Sequence, residues 1–154
     1  MVSIEEYLAL VGSSVGSSDW LLVDQDRINE FAKVTEDRQF IHLDAERART
    51  ESPFGGAIAH GFLTLSLLSH LGSQVFPIIK DKALTINYGL NKVRFLNPVK
   101  SGGRVRLHAK LISAVEKQPG RFMCELHSTV EIEGEETPAL VAEQLLMHVM
   151  KDAA

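Results

Sequence analysis

The 154-residue chain is short enough for one domain and long enough to bury a core. Its 45% hydrophobic and 23% charged residues exclude a disordered chain, and a net charge of −4 without a dense Lys/Arg cluster argues against a nucleic-acid-binding surface. A single cysteine, Cys124, excludes an intramolecular disulfide and a Cys-based zinc cluster.

The first ten residues carry Glu5 and Glu6 and lack the basic and apolar regions of a signal peptide. Ser3 to Val11 predicts a short helix with Ile4, Tyr7, Leu8 and Val11 on one stripe. Gly12 to Ser18 reads as a Gly/Ser turn and Trp20 to Val23 as a short apolar run. Asp24 suits the N-cap of a helix that turns Ile28, Phe31 and Ala32 inward and ends near Thr35. A polar loop follows, Thr35 to His42, and then Asp44 caps a short helix, Ala45 to Thr50, stopped by Ser52-Pro53. The Gly55-Gly56 pair is expected to turn the chain into a long helix, about residues 57 to 76, covered nearly all round and ended by Pro77. It is too interrupted by histidines, glycines and hydroxyls to read as a membrane span.

The period then changes from 3.6 to 2. Leu84 to Phe95 predicts a strand with a bulge or bend at Gly89. Val105 to Leu111 alternates apolar with charged residues, and Phe122 to Ile132 alternates again, with Cys124 on the apolar face. Turns at Ser101-Gly102-Gly103, Gln118-Pro119-Gly120 and Gly134-Glu135-Glu136 separate the strands. Pro138 to Met150 is apolar on both faces, as in a central strand. The pattern predicts a single α+β domain, residues 1–154, with a curved antiparallel sheet wrapped around one helix, in a soluble, cytoplasmic protein.

Chemistry concentrates between Phe31 and Leu71. Asp37 and His42, five residues apart, can converge on one water as an acid/base pair, or serve as a surface carboxylate and a capping imidazole. Gly61, beside His60 in the helix's first turn, can offer its N–H to a developing oxyanion or can simply permit tight packing. Ser66 and Ser69 lack a nucleophile elbow, and a supporting hydrogen bond from Ser69 to a carboxylate is the better reading. His42, Asp44 and His60 lack zinc-type spacing, so no metal is expected. His108, His127 and His148 read as surface or packing histidines.

The segment Asp37-Arg38-Gln39-Phe40-Ile41-His42-Leu43-Asp44 resembles the G-D-x-N-P-I-H-x-D signature of the MaoC-like hydratases, the R-specific enoyl-CoA hydratases of the hot-dog fold. The likeness extends through Phe54 to Gly61 and recurs at Asn87-Tyr88-Gly89 and at Lys92 to Val99. Glu36, Gln39 and Phe40 depart from the common pattern in a way that is similar to the nodulation-protein-N-like branch. The resemblance implies an antiparallel sheet around a central helix, paired into a homodimer, and reversible hydration of a trans-2-enoyl thioester. It implies catalytic roles for Asp37, His42 and Gly61, support of Asp37 by Ser69, and binding or supporting positions for Gln39, Phe40, Gly56 and His60. The implied partner is an acyl-CoA or acyl-carrier-protein thioester, with no cofactor. Lys92, Arg94, Lys100 and Arg104 are candidates for the CoA phosphates or ordinary solvated charges. A hot-dog thioesterase and a non-catalytic acyl-thioester binding module are the alternatives.

Overall fold

Local capping signals act where the sequence places them. In the computed structural model, which describes residues 1–151, Ser3 caps α1 (Ile4–Leu8) through a capping box. Its hydroxyl accepts from Glu6 N–H, and the Glu6 carboxylate accepts from Ser3 N–H. The stretch expected as a Gly/Ser turn instead contributes β1 (Ser14–Ser17), followed by β2 (Leu21–Val23). Strand pairing with a longer neighbour overrides the weak β propensity of Ser and Gly there. Asp24 caps α2 (Gln25–Thr35) by accepting from Arg27 N–H at 2.9 Å, and α2 buries Ile28 and Ala32. The polar loop is not wholly irregular, because Phe40–Leu43 winds into α3. Asp44 caps α4 (Ala45–Glu51) through Arg47 N–H, at 3.0 Å.

The long helix expected over residues 57 to 76 is shorter. Gly55 takes a left-handed φ of 70° and turns the chain, but Ala57 to His60 then run extended. Ala59 N–H donates to the Val99 carbonyl at 2.7 Å and Ile58 bridges to Lys100, which satisfies this backbone without a helix. The helix begins at Gly61 as α5 (Gly61–Ser66) and resumes after Leu67 as α6 (Leu68–Val75). It is not covered all round. Leu63, Leu67, Leu68 and Leu71 are buried, whereas Phe62, Ser66, Ser69, His70 and Ser73 are exposed.

Four long strands complete the fold: β3 (Lys82–Phe95), β4 (Gly103–Gln118), β5 (Arg121–Ile132) and β6 (Leu140–Met150). The antiparallel sheet runs β1-β4-β5-β6-β3, with β2 also on β4. The last strand is interior, as its two apolar faces suggested, because β6 lies between β5 and β3. The register of β3 slips between Asn87 and Gly89, where the glycine predicted a bulge. Val105, Leu107, Ala109, Val130 and Leu140 turn inward against the helix and form the main core with Leu63, Leu68 and Leu71. A second cluster, with Tyr7, Ile79, Leu111 and Cys124, closes one end under α1. Strand β3 is the exception, exposed along almost its whole length.

Candidate functional site

Three elements meet at one cluster of polar side chains. Helix α2 supplies a floor, α3 carries His42, and the extended segment before α5 carries His60. His42 is 6% exposed and His60 2% exposed. Their rings stack with centroids 3.8 Å apart and planes 24° apart, and Phe31 from α2 packs on His60 at 5.0 Å.

The hydrogen bonds settle the tautomers. His42 Nδ1 lies 2.7 Å from the Ile58 carbonyl, and a carbonyl can only accept, so Nδ1 donates and Nε2 keeps its lone pair. The same logic makes His60 Nε2 the donor to the Asp37 carbonyl at 2.9 Å. His60 Nδ1 is then a buried acceptor without a partner. Gln25 Nε2 donates to the His42 carbonyl at 2.7 Å and holds its backbone from outside. Burial, the largest influence, pushes the His42 pKa below its ordinary value. The Ile58 carbonyl and Asp37 oppose that fall, and neighbouring His60 adds to it.

Asp37 lies beside this pair, half-buried, and accepts from Gln39 Nε2 at 3.3 Å. One side-chain ligand atom from each of Asp37, His42 and His60 lies within 4.8 Å of the other two. Such a triad can hold a water, a proton or a cation. Asp44, which the sequence placed among possible ligands, is occupied by the cap of α4. A second triad of this spacing, Glu125, His127 and Glu143, sits on the sheet's outer side.

The remaining sequence candidates divide. Gly61 opens α5, so its N–H has no partner inside the helix. A side chain there would also crowd Phe95, since an added Cβ would come within 3.1 Å of the ring. Gly61 thus combines an N–H without a helical partner and close packing against Phe95. Gly56 sits in the turn that delivers Ala57 to His60. Phe40 packs under the Arg47 guanidinium, 4.4 Å from its ring centre, rather than against the imidazoles. Ser69 does not steady Asp37 within this chain; its hydroxyl accepts from Asn87 Nδ2 at 3.1 Å, on the β3 side. Arg104 is paired with Glu133 and Arg94 donates to its neighbour's carbonyl, whereas Lys92 and Lys100 form no ion pair among the described residues. His148 is buried at 4% exposure, as a packing histidine, between Thr85 and Tyr7.

Sequence reading missed Gln25, Phe31 and the Ile58 carbonyl. Phe31 had a signal, its place on the inward stripe of α2. Gln25 and a backbone carbonyl had none, because only the chain's path brings them to His42.

Comparison with known proteins gives a consistent picture. Residues 7–133 match the family profile described as "MaoC like domain". Nodulation protein N of Rhizobium meliloti (strain 1021) is 46% identical over 141 residues, covering 92% of this chain and 88% of that one. The 3-hydroxyacyl-thioester dehydratase Z of Mycobacterium tuberculosis (strain ATCC 25618 / H37Rv) is 45% identical over 147 residues, 96% of each. Among solved structures, the (R)-hydratase from A. caviae involved in PHA biosynthesis superposes with a TM-score of 0.69. It is 26% identical and covers 88% of this chain and 96% of that one.

Proposed function

Because this chain belongs to the MaoC-like domain family and has its hot-dog fold, we propose that it is a hydro-lyase acting on acyl thioesters, and more finely an R-specific enoyl-CoA hydratase. It would add water reversibly to a trans-2-enoyl thioester and give an R-3-hydroxyacyl thioester. What carries this reading is the His42 imidazole, gathered with Asp37 and His60 and held in one tautomer by the Ile58 carbonyl.

In the hydration direction Asp37 accepts a hydrogen bond from the water and orients it. The water oxygen bonds to C3 as His42 Nε2 takes its proton. Electrons move onto the thioester carbonyl, where Gly61 N–H stabilises the enolate oxygen. The proton held on His42 then passes to C2, so the enzyme ends unchanged. No metal or redox cofactor enters these steps.

The substrate's carrier is a pantetheine thioester, CoA or acyl-carrier protein. Lys100, unpaired among the described residues and bridged through its backbone to Ile58, is the candidate for a CoA phosphate. We propose further that the chain works as a homodimer paired through β3. That strand has its outer edge open and carries Leu84, Ile86, Tyr88 and Leu90 exposed. A long apolar edge of this kind invites pairing with another strand.

The test of the reaction is direct. Asp37→Asn and His42→Gln should each slow hydration of crotonyl-CoA by a factor on the order of a thousand, with the circular-dichroism melt retained. Near-wild-type rates in both, or release of free thiol in place of hydration, would sink the assignment.

A further inference from the structure

Between α6 and β3 the uncovered side of the helix faces a cavity of about 320 Å³. A second hollow, of about 370 Å³, shares Ser69, Asn87, Gln144 and Leu146 with it. Leu68, Phe76, Leu126 and Leu146 supply walls suited to an alkyl chain. Across those walls, however, runs a set of hydrogen-bonding side chains that the acid/base pair does not use.

Gln144 projects from β6 and is 9% exposed. Its Oε1 accepts from the Ser128 hydroxyl at 2.7 Å, and Ser128 is itself buried. That bond occupies one end of the amide. The Nε2 end has no partner among the described residues, and Gln144 lines both hollows. Asn87 donates Nδ2 to Ser69 Oγ, which leaves Asn87 Oδ1 free to accept and the Ser69 hydroxyl free to donate. His148 closes the cavity with both ring nitrogens engaged, by Thr85 and Tyr7, so it forms a wall and not a spare donor.

A plain alkyl chain that filled this space would strip water from the Gln144 amide and offer nothing in return. An oxygen on the chain would meet it. We infer that the cavity selects acyl chains bearing a hydroxyl or keto oxygen beyond the reacting carbons, with Gln144 Nε2 as donor and the Asn87–Ser69 pair as its complement. This inference rests on the acyl-thioester reading above and concerns which tail the substrate carries.

The experiment compares trans-2-enoyl-CoA substrates of matched length, with plain alkyl tails and with a hydroxyl or oxo group at successive tail positions. The best-placed oxygenated substrate should have kcat/KM roughly tenfold or more above its alkyl match. The double variant Ser128→Ala with Gln144→Leu, which orphans no hydroxyl, should bring that ratio towards one. Asn87→Val, at an exposed strand position that carries little risk to folding, should lower the same ratio severalfold. Calorimetric binding of saturated hydroxyacyl-CoA gives a readout independent of turnover. Equal rates for both series, with the ratio unmoved by either change, overturn the inference and leave the hydratase reading intact. Binding of the hydroxylated ligand that is lost with Gln144, in a protein that hydrates no enoyl-CoA, supports the inference and overturns the reaction.

Discussion

In the proposed reaction His42 serves as the base, and that role follows from where its protons cannot be. Its Nδ1 proton is committed to a carbonyl, and burial disfavours a second one on Nε2. A histidine whose pKa lies below 6.5 stays neutral, and so competent as a base, at mildly acidic pH. In the hydration direction kcat/KM should therefore hold as pH falls to 6.5 and drop below it, as His42 gains its proton. A profile from about pH 4 to 8 checks this, and an acidic limb at or above 6.5 contradicts it. His60→Phe keeps a ring on His42 but removes the neighbouring imidazole and its bond to the Asp37 carbonyl. That variant should move the acidic limb to higher pH and lower kcat, whereas a purely structural role for His60 would leave the limb in place.

Short helices do the positioning, and helices of this length depend on tertiary packing, with a side-chain cap added in α2. Helix α2 carries Gln25, which anchors the His42 backbone, and Phe31, which supports His60, so the site inherits whatever order α2 has. Asp24→Ala removes the cap at Arg27 N–H and should cost about 1 kcal/mol in urea unfolding, with Asp24→Asn retaining most of it. The helix at the centre was shortened by a competing element. Residues 57 to 60 are apolar enough for a helix, but the Ile58 N–H donates to the Ile41 carbonyl and the Ala59 N–H to the Val99 carbonyl. As a result Gly61, rather than Ala57, becomes the first helical residue, and an N–H without a helical partner directly follows His60 in the chain.

For the molecule as a whole, two terms decide stability and assembly. His148 is neutral in its buried site because burial pulls its pKa down to about 4. Between about pH 6.5 and 4 the unfolded chain binds a proton here that the folded chain does not. Stability should thus fall as pH drops through that window, by up to about 3 kcal/mol. Replacement by Gln, which keeps a hydrogen-bonding side chain, should flatten the fall, as measured by urea unfolding at several pH values. The proposed assembly depends on β3. Sedimentation should report twice the 17.0 kDa chain mass, and Ile86→Lys combined with Tyr88→Lys should shift it to the monomer. A wild-type monomer would remove the dimer proposal.

Much of this protein was legible in one dimension, wherever a property depends on neighbours in sequence. Period-2 alternation marked β4 and β5, Asp24 and Asp44 suited helix starts, and the run from Asp37 to His42 supplied two members of the cluster that the fold gathers. Tertiary structure decided what depends on partners far along the chain. It turned Ser14–Ser17 into a strand by pairing it with β4, moved the helix start to Gly61, and turned Ser69 towards Asn87. It also gave His42 its tautomer, through a carbonyl sixteen residues away. Local pattern reports propensity and burial. Which lone pair stays free is a matter of long-range hydrogen bonding, and that appears only once the chain has folded back on itself.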